Sequence, residues 1–293
     1  MALTEVIQTI VEPYAEGLTQ PSEAWRAGFD VMTDDVATKK LATFSGIGAI
    51  PVWDGVTNLD IADLNDRYNQ TITYTEYGLQ LRVPKRKQKD IPGLLEGGVR
   101  KLGVAVANTY GSIGAERLAD VFDTTTSAGD GKALCANDHP TAAGGTRDNL
   151  IESACDRSGF LAGINLASLW TSYHGQEEDF SDDDFVLFGS PQDPTLRETW
   201  AEVFGSAVSS DQMQVNAAAG YRVERVLWAK LSVSTRQMLI SKSRKPLAYW
   251  IRDSAESGTI VDEDNLNTKV NVDFAIGTMA KPDPVGIIGF KTA

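Results

Sequence analysis

Two cysteines and two histidines in 293 residues leave little material for redox, zinc or histidine-based chemistry. Cys135 and Cys155 could form at most one bridge, so a disulfide-stapled secreted scaffold is excluded and reduced thiols are expected. No C-x-x-C or H-x-x-x-H pair exists, which removes the spacings that present two zinc ligands from one turn. The chain also lacks a G-x-S-x-G elbow, a G-x-G-x-x-G after a strand and an H-E-x-x-H helix. No apolar run approaches the ~20 residues of a membrane span, and "MALTEVIQTI" lacks the charged start and apolar stretch of a signal peptide. Neither a membrane nor export is therefore expected. Positive charge is scarce as well: 27 Lys and Arg stand against 40 Asp and Glu, a net charge of -13 that would repel a large polyanion except at a local basic patch.

What remains is an ordinary globular composition, with 42% hydrophobic and 23% charged residues and no low-complexity tract. The length suggests about two domains at roughly 150 residues each. The first forty residues carry Pro13, Pro21 and scattered apolar positions without a sustained period, and read as an arm lying on something else. From Asn69, "NQTITYTEYGLQLRV" alternates as a strand, with Thr71, Thr73, Thr75, Tyr77, Leu79, Leu81 and Val83 on one face, ending at Pro84. "PGLLEGGVRKLGVAVANTYGSIGAERLADVFDTTT" then changes to helical spacing through Leu95, Val99, Leu102, Val106, Tyr110, Ile113, Leu118 and Val121. Its glycines Gly97, Gly98, Gly103, Gly111 and Gly114 each cost ~1 kcal/mol against Ala, so this helix needs close neighbours or a bend.

Further on, Asn165 is expected to cap a helix over "LASLWTSYHG", with Leu166, Leu169, Trp170 and Tyr173 inward and Gly175 as the stop. "DFVLFGS" reads as a buried strand, and "PTLRETWAEVF" as a helix with Leu196, Trp200, Val203 and Phe204 inward. "RVERVLWAKLSVSTRQMLI" and "NTKVNVDFAIGTM" return to strand character. The fold class is α+β.

One stretch gathers the chemically able residues, "GDGKALCANDHPTAAGGTRDNL" at 129–150. Gly131-Lys132 resembles the end of a phosphate-binding loop, but Thr126 stands where its first Gly belongs and Ala133 where Ser or Thr would hold magnesium. Cys135, Asp138 and His139 could supply three metal ligands, but Cys155 and His174 lie in other segments. A Cys135–His139 nucleophilic pair, hence a cytoplasmic hydrolase, is the alternative in the enzyme class, and a buried thiol is the plainer reading. "EEDFSDDD" lacks the pattern and central Gly of a calcium loop and reads as a solvated acidic loop, with stray divalent binding or a partner's basic patch as alternatives. "RVPKRKQK" concentrates Arg82, Lys85, Arg86, Lys87 and Lys89 without interleaved aromatics, which suits a charged hairpin docking on an acidic surface of a neighbouring copy better than nucleic acid.

The order of these parts resembles the major capsid protein of tailed bacteriophages, the Hong Kong 97-like fold, in its Mu-like prophage major head subunit type. The similarity is carried by "YTEYGLQLRV" at 74–83, by the 129–150 stretch and by "LISKSRKPLAYW" at 239–250, and it spans most of the chain after about residue 40. Gly129, Asp130, Gly131, Leu134, His139, Pro140, Gly144, Gly145, Thr146 and Asn149 occupy the family's loop positions, while Ala136 and Asn137 stand where Ser or Thr is usual. The resemblance implies an N-terminal arm over 1–44 and an E-loop hairpin over 45–91. It further implies a P-domain over 92–160 with a spine helix at about 92–122 and the glycine-rich loop, an A-domain over 161–254, and a C-terminal β return to the P-domain over 255–293. It makes Gly129, Asp130, Gly131, His139, Pro140, Gly144, Gly145 and Thr146 a structural loop, and Arg82, Lys85, Arg86, Lys87 and Lys89 candidate intersubunit contacts.

By the same resemblance the protein is not an enzyme and needs neither cofactor nor metal. The resemblance further implies a homo-oligomer of hexamers and pentamers in an icosahedral head shell, assembled in the host cytoplasm and located in the virion. That shell encloses double-stranded DNA without sequence-specific binding, with a separate scaffolding protein and portal. A gene-transfer particle or an encapsulin-like compartment shares the fold. An arm docked on neighbours implies that removing residues 1–30 leaves soluble folded protein while abolishing shells.

Overall fold

A computed structural model of the chain describes residues 7–33, 36, 38–44, 66–141, 144–171, 173, 177–205, 217–233, 235–262 and 267–292. A helical turn, Ile7–Val11, runs into α1 (Glu12–Thr19), and a short helical turn at Ala24–Gly28 leads to β1 (Phe29–Thr33). β2 (Lys39–Phe44) pairs antiparallel with β3 (Asp66–Ile72), and β4 (Thr75–Pro84) follows. A one-and-a-half-turn helix α2 (Lys85–Asp90) precedes the long helix α3 (Leu94–Ala119). β5 (His139–Pro140), β6 (Thr146–Arg147) and β7 (Leu150–Ile151) are short, and α4 (Arg157–Ser168), β8 (Phe185–Gly189), α5 (Leu196–Phe204) and β9 (Val223–Leu227) follow. The chain closes with β10 (Arg236–Ser241), β11 (Leu247–Asp262), β12 (Asn267–Ala280) and β13 (Ile287–Lys291).

Two sheets organise these elements. One runs β1-β11-β12-β4, with β1 parallel to β11 and the other pairs antiparallel. The other runs β7-β13-β10-β8-β9, with β7 parallel to β13 and β8 parallel to β9. Its central strands explain why "DFVLFGS" is apolar throughout: Val186 and Phe188 face the cluster under α3, while Phe185 and Leu187 face α4 and α5. Met238 and Ile240 against Leu239 divide in the same way along β10. A strand covered on both faces has no polar side to alternate with.

The long helix lies within the expected span of about 92–122, and Gly103 shows a use for a glycine in it. A Cβ at Gly103 would sit 2.4 Å from the carbonyl oxygen of Tyr14, and one at Gly17 would sit 2.1 Å from that of Arg100, so α1 and α3 touch backbone to backbone. The price of weak helix propensity is repaid by this approach.

Several expectations differ from the structure. Residues 7–33 are not a loose arm: Ile10, Tyr14, Trp25 and Phe29 are buried in the main cluster, and β1 is a sheet strand. The expected boundary between 44 and 45 falls just after the first strand of the β2–β3 ribbon, which begins at Lys39, and residues 45–65 assigned to the hairpin lie outside the described residues. The boundary at 160/161 falls inside α4 and that at 254/255 inside β11, where the long antiparallel ladder with β12 carries pairing across it. The last strand, β13, joins the sheet of β8–β10, so the two layers are interleaved in sequence.

The helix expected from Asn165 begins earlier, at Arg157. Asp156 caps it, its carboxylate accepting from the Gly159 amide at 2.7 Å, and Asn165 lies in the last turn. Leu169 is left 76% exposed at the C-terminus, although Trp170 is buried as expected. Tyr173 stands beyond the helix, and His174 and Gly175 lie outside the described residues. The strand read from Asn69 is two strands, broken at 73–74, where a Cβ on Gly277 would meet Ile72 at 2.4 Å. Leu79 is 58% exposed on β4, unlike Val83, which is buried.

Candidate assembly surfaces and the loop that supports them

The glycine-rich loop is built around a buried, hydrogen-bonded pair of side chains. Asp130 and His139, both essentially without solvent exposure, meet through Oδ2 and Nδ1 at 2.7 Å. The second carboxylate oxygen of Asp130 accepts from the Lys132 amide at 2.9 Å, which turns the chain at Gly131, whose φ is +80°. Only glycine adopts that conformation without strain. Gly144 repeats the device at φ +85° in the turn between β5 and β6, where Pro140 pairs with Thr146 and Gly145 donates to Thr141. Burial raises the Asp130 pKa, but the His139 contact, the Lys132 amide and the nearby positive charges outweigh it, and the carboxyl is held below its ordinary value.

Arg147, which the sequence reading did not single out, and Asn149, one of the loop positions of the resemblance, complete this knot. Arg147 is paired in register with His139, lies 4.8 Å over the Trp170 ring, donates to the Thr171 carbonyl at 2.5 Å and stands 3.8 Å from Asp283. Burial raises the Asp283 and Glu178 carboxyls above their ordinary values, with Arg147 working against the shift in both. Asn149 clips the loop to itself, accepting from the Ala136 amide at 2.9 Å and donating to the Leu134 carbonyl at 2.8 Å. Arg147 and Asn149 carried a signal as polar residues within an otherwise turn-rich run; Asp283, over a hundred residues away, carried none.

Replacing His139 with Ala removes the partner of one buried Asp130 oxygen, and a loss of about 1–3 kcal/mol is expected in urea unfolding at neutral pH. Because the Asp130 pKa is lowered on folding from 3.8, its contribution is present above that value and is lost as pH falls through the folded pKa. Asp283 and Glu178, shifted upward, oppose this on acidification.

The hydrolase constellation does not form. Cys135 is buried beside Gly289 and burial pushes its thiol well up, while Nε2 of His139, the ring nitrogen that Asp130 leaves over, has no hydrogen-bond partner and so does not engage the thiol. Cys155 is buried too. Among the described residues no three His, Cys, Asp or Glu side chains are placed to hold a metal ion, and no helix is long and apolar enough to cross a membrane.

The basic cluster lies elsewhere than a hairpin tip. Arg82 is on β4, opposite Lys269 of β12, and Lys85, Arg86, Lys87 and Lys89 form α2, the exposed link between β4 and α3. No ion pair holds Lys85, Arg86, Lys87 or Lys89 among the described residues. The acidic loop is partly used within the chain: Asp183 accepts from Ser241 at 2.5 Å and Ser243 at 2.6 Å, and Arg244 lies 3.6 Å from Glu178. Asp182 and Asp184 stay exposed.

A long helix laid across one sheet, a second mixed sheet sharing its core, and a two-stranded ribbon rooted beside them define the class: this is the Hong Kong 97-like capsid fold. The capsid structure of the cyanophage P-SCSP1u is similar with a TM-score of 0.60 at 11% identity, covering 93% of this chain and 88% of that one. The mature capsid of bacteriophage PhiM1 gives 0.59 at 11% identity, over 94% and 88%. A virus-like particle from Pyrococcus furiosus gives 0.53 at 10% identity, over 96% of both chains. No family model and no curated protein matches the sequence.

Proposed function

We propose that this chain is the major capsid protein of a tailed bacteriophage or prophage, a structural protein without catalytic activity that assembles through hexamers and pentamers into an icosahedral head shell. The observation that carries the reading is two-way coverage: the fold accounts for nearly all of this chain and of capsid subunits from several phages. The satellite phage P4 procapsid is similar over 100% of this chain, with a TM-score of 0.51. The shell would be assembled in the host cytoplasm on a separate scaffolding protein and portal, and would enclose double-stranded DNA without reading its sequence. Net negative charge suits a container that does not grip its contents. On this reading the chain divides into E-loop, P-domain and A-domain, with β2–β3 as the root of the E-loop and 129–146 as a structural loop.

Rings of this kind need head-to-tail contacts between unlike patches. The exposed Arg82, Lys85, Arg86, Lys87 and Lys89 and the open Leu79 are suited to that use, with the acidic face of a neighbouring copy as partner. Reversing Lys85, Arg86, Lys87 and Lys89 together to Glu is expected to leave the melting curve within about 0.5 kcal/mol per substitution, as for exposed sites generally. Assembly should be lost, as judged by sedimentation.

Electron microscopy of the purified chain, alone and with its scaffold, tests the function itself. Closed shells, tubes or free capsomers support it, and a discrete monomer or dimer under both conditions overturns it. Nuclease-protected DNA within particles would separate a phage head from an encapsulin-like compartment.

A further inference from the structure

The ribbon β2–β3 is fixed to the body of the subunit at two places. At one, Ile72 is buried against Ala248 and Trp250, and the ammonium of Lys39 lies 4.7 Å from the centre of the Trp250 ring. At the other, the Gln70 side chain donates to the Ser127 carbonyl at 2.9 Å, and Tyr68 lies directly over Gly129. A Cβ on Gly129 would stand 2.4 Å from Cβ and 2.7 Å from Cγ of Tyr68, with Pro282 at 3.0 Å on the other side.

The loop beneath Tyr68 has no room to give way. The Gly129 amide donates to the Pro282 carbonyl at 2.8 Å, the Ala128 amide to that of Lys132 at 2.8 Å, and the next residue, Asp130, is locked to buried His139. Gly129 itself has no positive φ, so its backbone accepts an L side chain. The glycine is required by the neighbour and not by the turn.

We propose that the glycine-rich loop is the seat that sets the direction in which the β2–β3 ribbon leaves the subunit, and that Gly129 is the residue that determines it. The inference rests on reading that ribbon as an intersubunit element. A methyl group at 129 meets a rigid loop on one side and a two-stranded ribbon on the other, so the ribbon moves. Because β2 and β3 are hydrogen-bonded along their length, a displacement at Tyr68 is carried towards residues 45–65 as a rotation. The buried Asp130–His139 pair then has a purpose beyond stability, holding the seat still.

Two readouts test this in the full chain. The first places spin labels at Lys40→Cys and Lys101→Cys, exposed positions on the ribbon and on α3, with the buried Cys135 and Cys155 silent. Gly129→Ala is expected to shift the label distance while keeping a cooperative melt, and the double variant Gly129→Ala with Tyr68→Ala to restore it. The second readout is the concentration needed for assembly, expected to rise about tenfold in Gly129→Ala, the equivalent of about 1.4 kcal/mol lost per contact. Gln70→Ala adds no atoms and removes one hydrogen bond; it is expected to shift the label distance and to raise that concentration about threefold, and covers the case in which Gly129→Ala does not fold. An unchanged label distance in folded Gly129→Ala, no recovery in the double variant, or a wild-type label distance in Gln70→Ala overturns the seat. A shifted distance with normal assembly keeps the seat and instead overturns the intersubunit reading of the ribbon.

Discussion

Removing residues 1–30 is expected to abolish the fold, and not only assembly. The segment supplies Trp25 and Phe29, both almost completely buried, whose rings lie 4.4 Å and 5.7 Å from that of Tyr249 on β11. It also supplies Ile10 and Tyr14 beneath α3, and the first two residues of a strand in register with Leu247 and Ala248. Truncating a single buried Trp or Phe costs about 3–5 kcal/mol. Losing both, with α1, exceeds much of the 5–15 kcal/mol that typically separates folded from unfolded chains. The truncated chain should show no cooperative thermal transition and should collect in the insoluble fraction. A soluble truncated chain with the full-length melting curve would show that residues 7–30 dock without contributing to stability.

Gly103→Ala is expected to destabilise, against the sign that helix propensity gives. In an isolated helix the change gains about 1 kcal/mol. Here the new methyl would stand 2.4 Å from the Tyr14 carbonyl oxygen and 3.0 Å from the Leu18 nitrogen, both backbone atoms that move only if α1 moves. Overpacking of this kind typically costs 1–3 kcal/mol, so a net loss of about 2 kcal/mol is expected in urea. Gly97→Ala, six residues earlier in the same helix, meets nothing within 4 Å and should stabilise by up to about 1 kcal/mol. If both variants shift the midpoint in the same direction, the backbone contact between α1 and α3 is not what retains the glycine.

These two cases show where the sequence was legible. The long helix could be read from its apolar spacing, and β8 from an unbroken apolar run that both covered faces require. The helical start and β1 could not. Their apolar residues pack against both α3 and β11, Trp25 and Phe29 lying beside Gly114 of α3 as well as Tyr249 of β11, so no single period survives. The same reason moved the helix expected at Asn165: the capping signal at Asp156 precedes Gly159 and Gly163, and glycines inside a helix weaken the pattern that identifies it. Gly163 is there because a Cβ would meet the Phe290 ring at 3.1 Å, a contact made only once β13 is in place. The loop residues were legible as a turn-rich set, but the Asp130–His139 pair and the Arg147–Asp283 contact follow from how distant segments close, which local pattern does not record.

The sheet shared by the two clusters has a mechanical meaning. Alternate side chains of β8 and β10 belong to opposite clusters, so a bend between the clusters would break backbone hydrogen bonds and unpack both faces together. The subunit has no soft joint along that line and behaves as a stiff tile. Curvature in anything built from it, whether a tight ring or a flatter one, must be taken up at the seams between tiles.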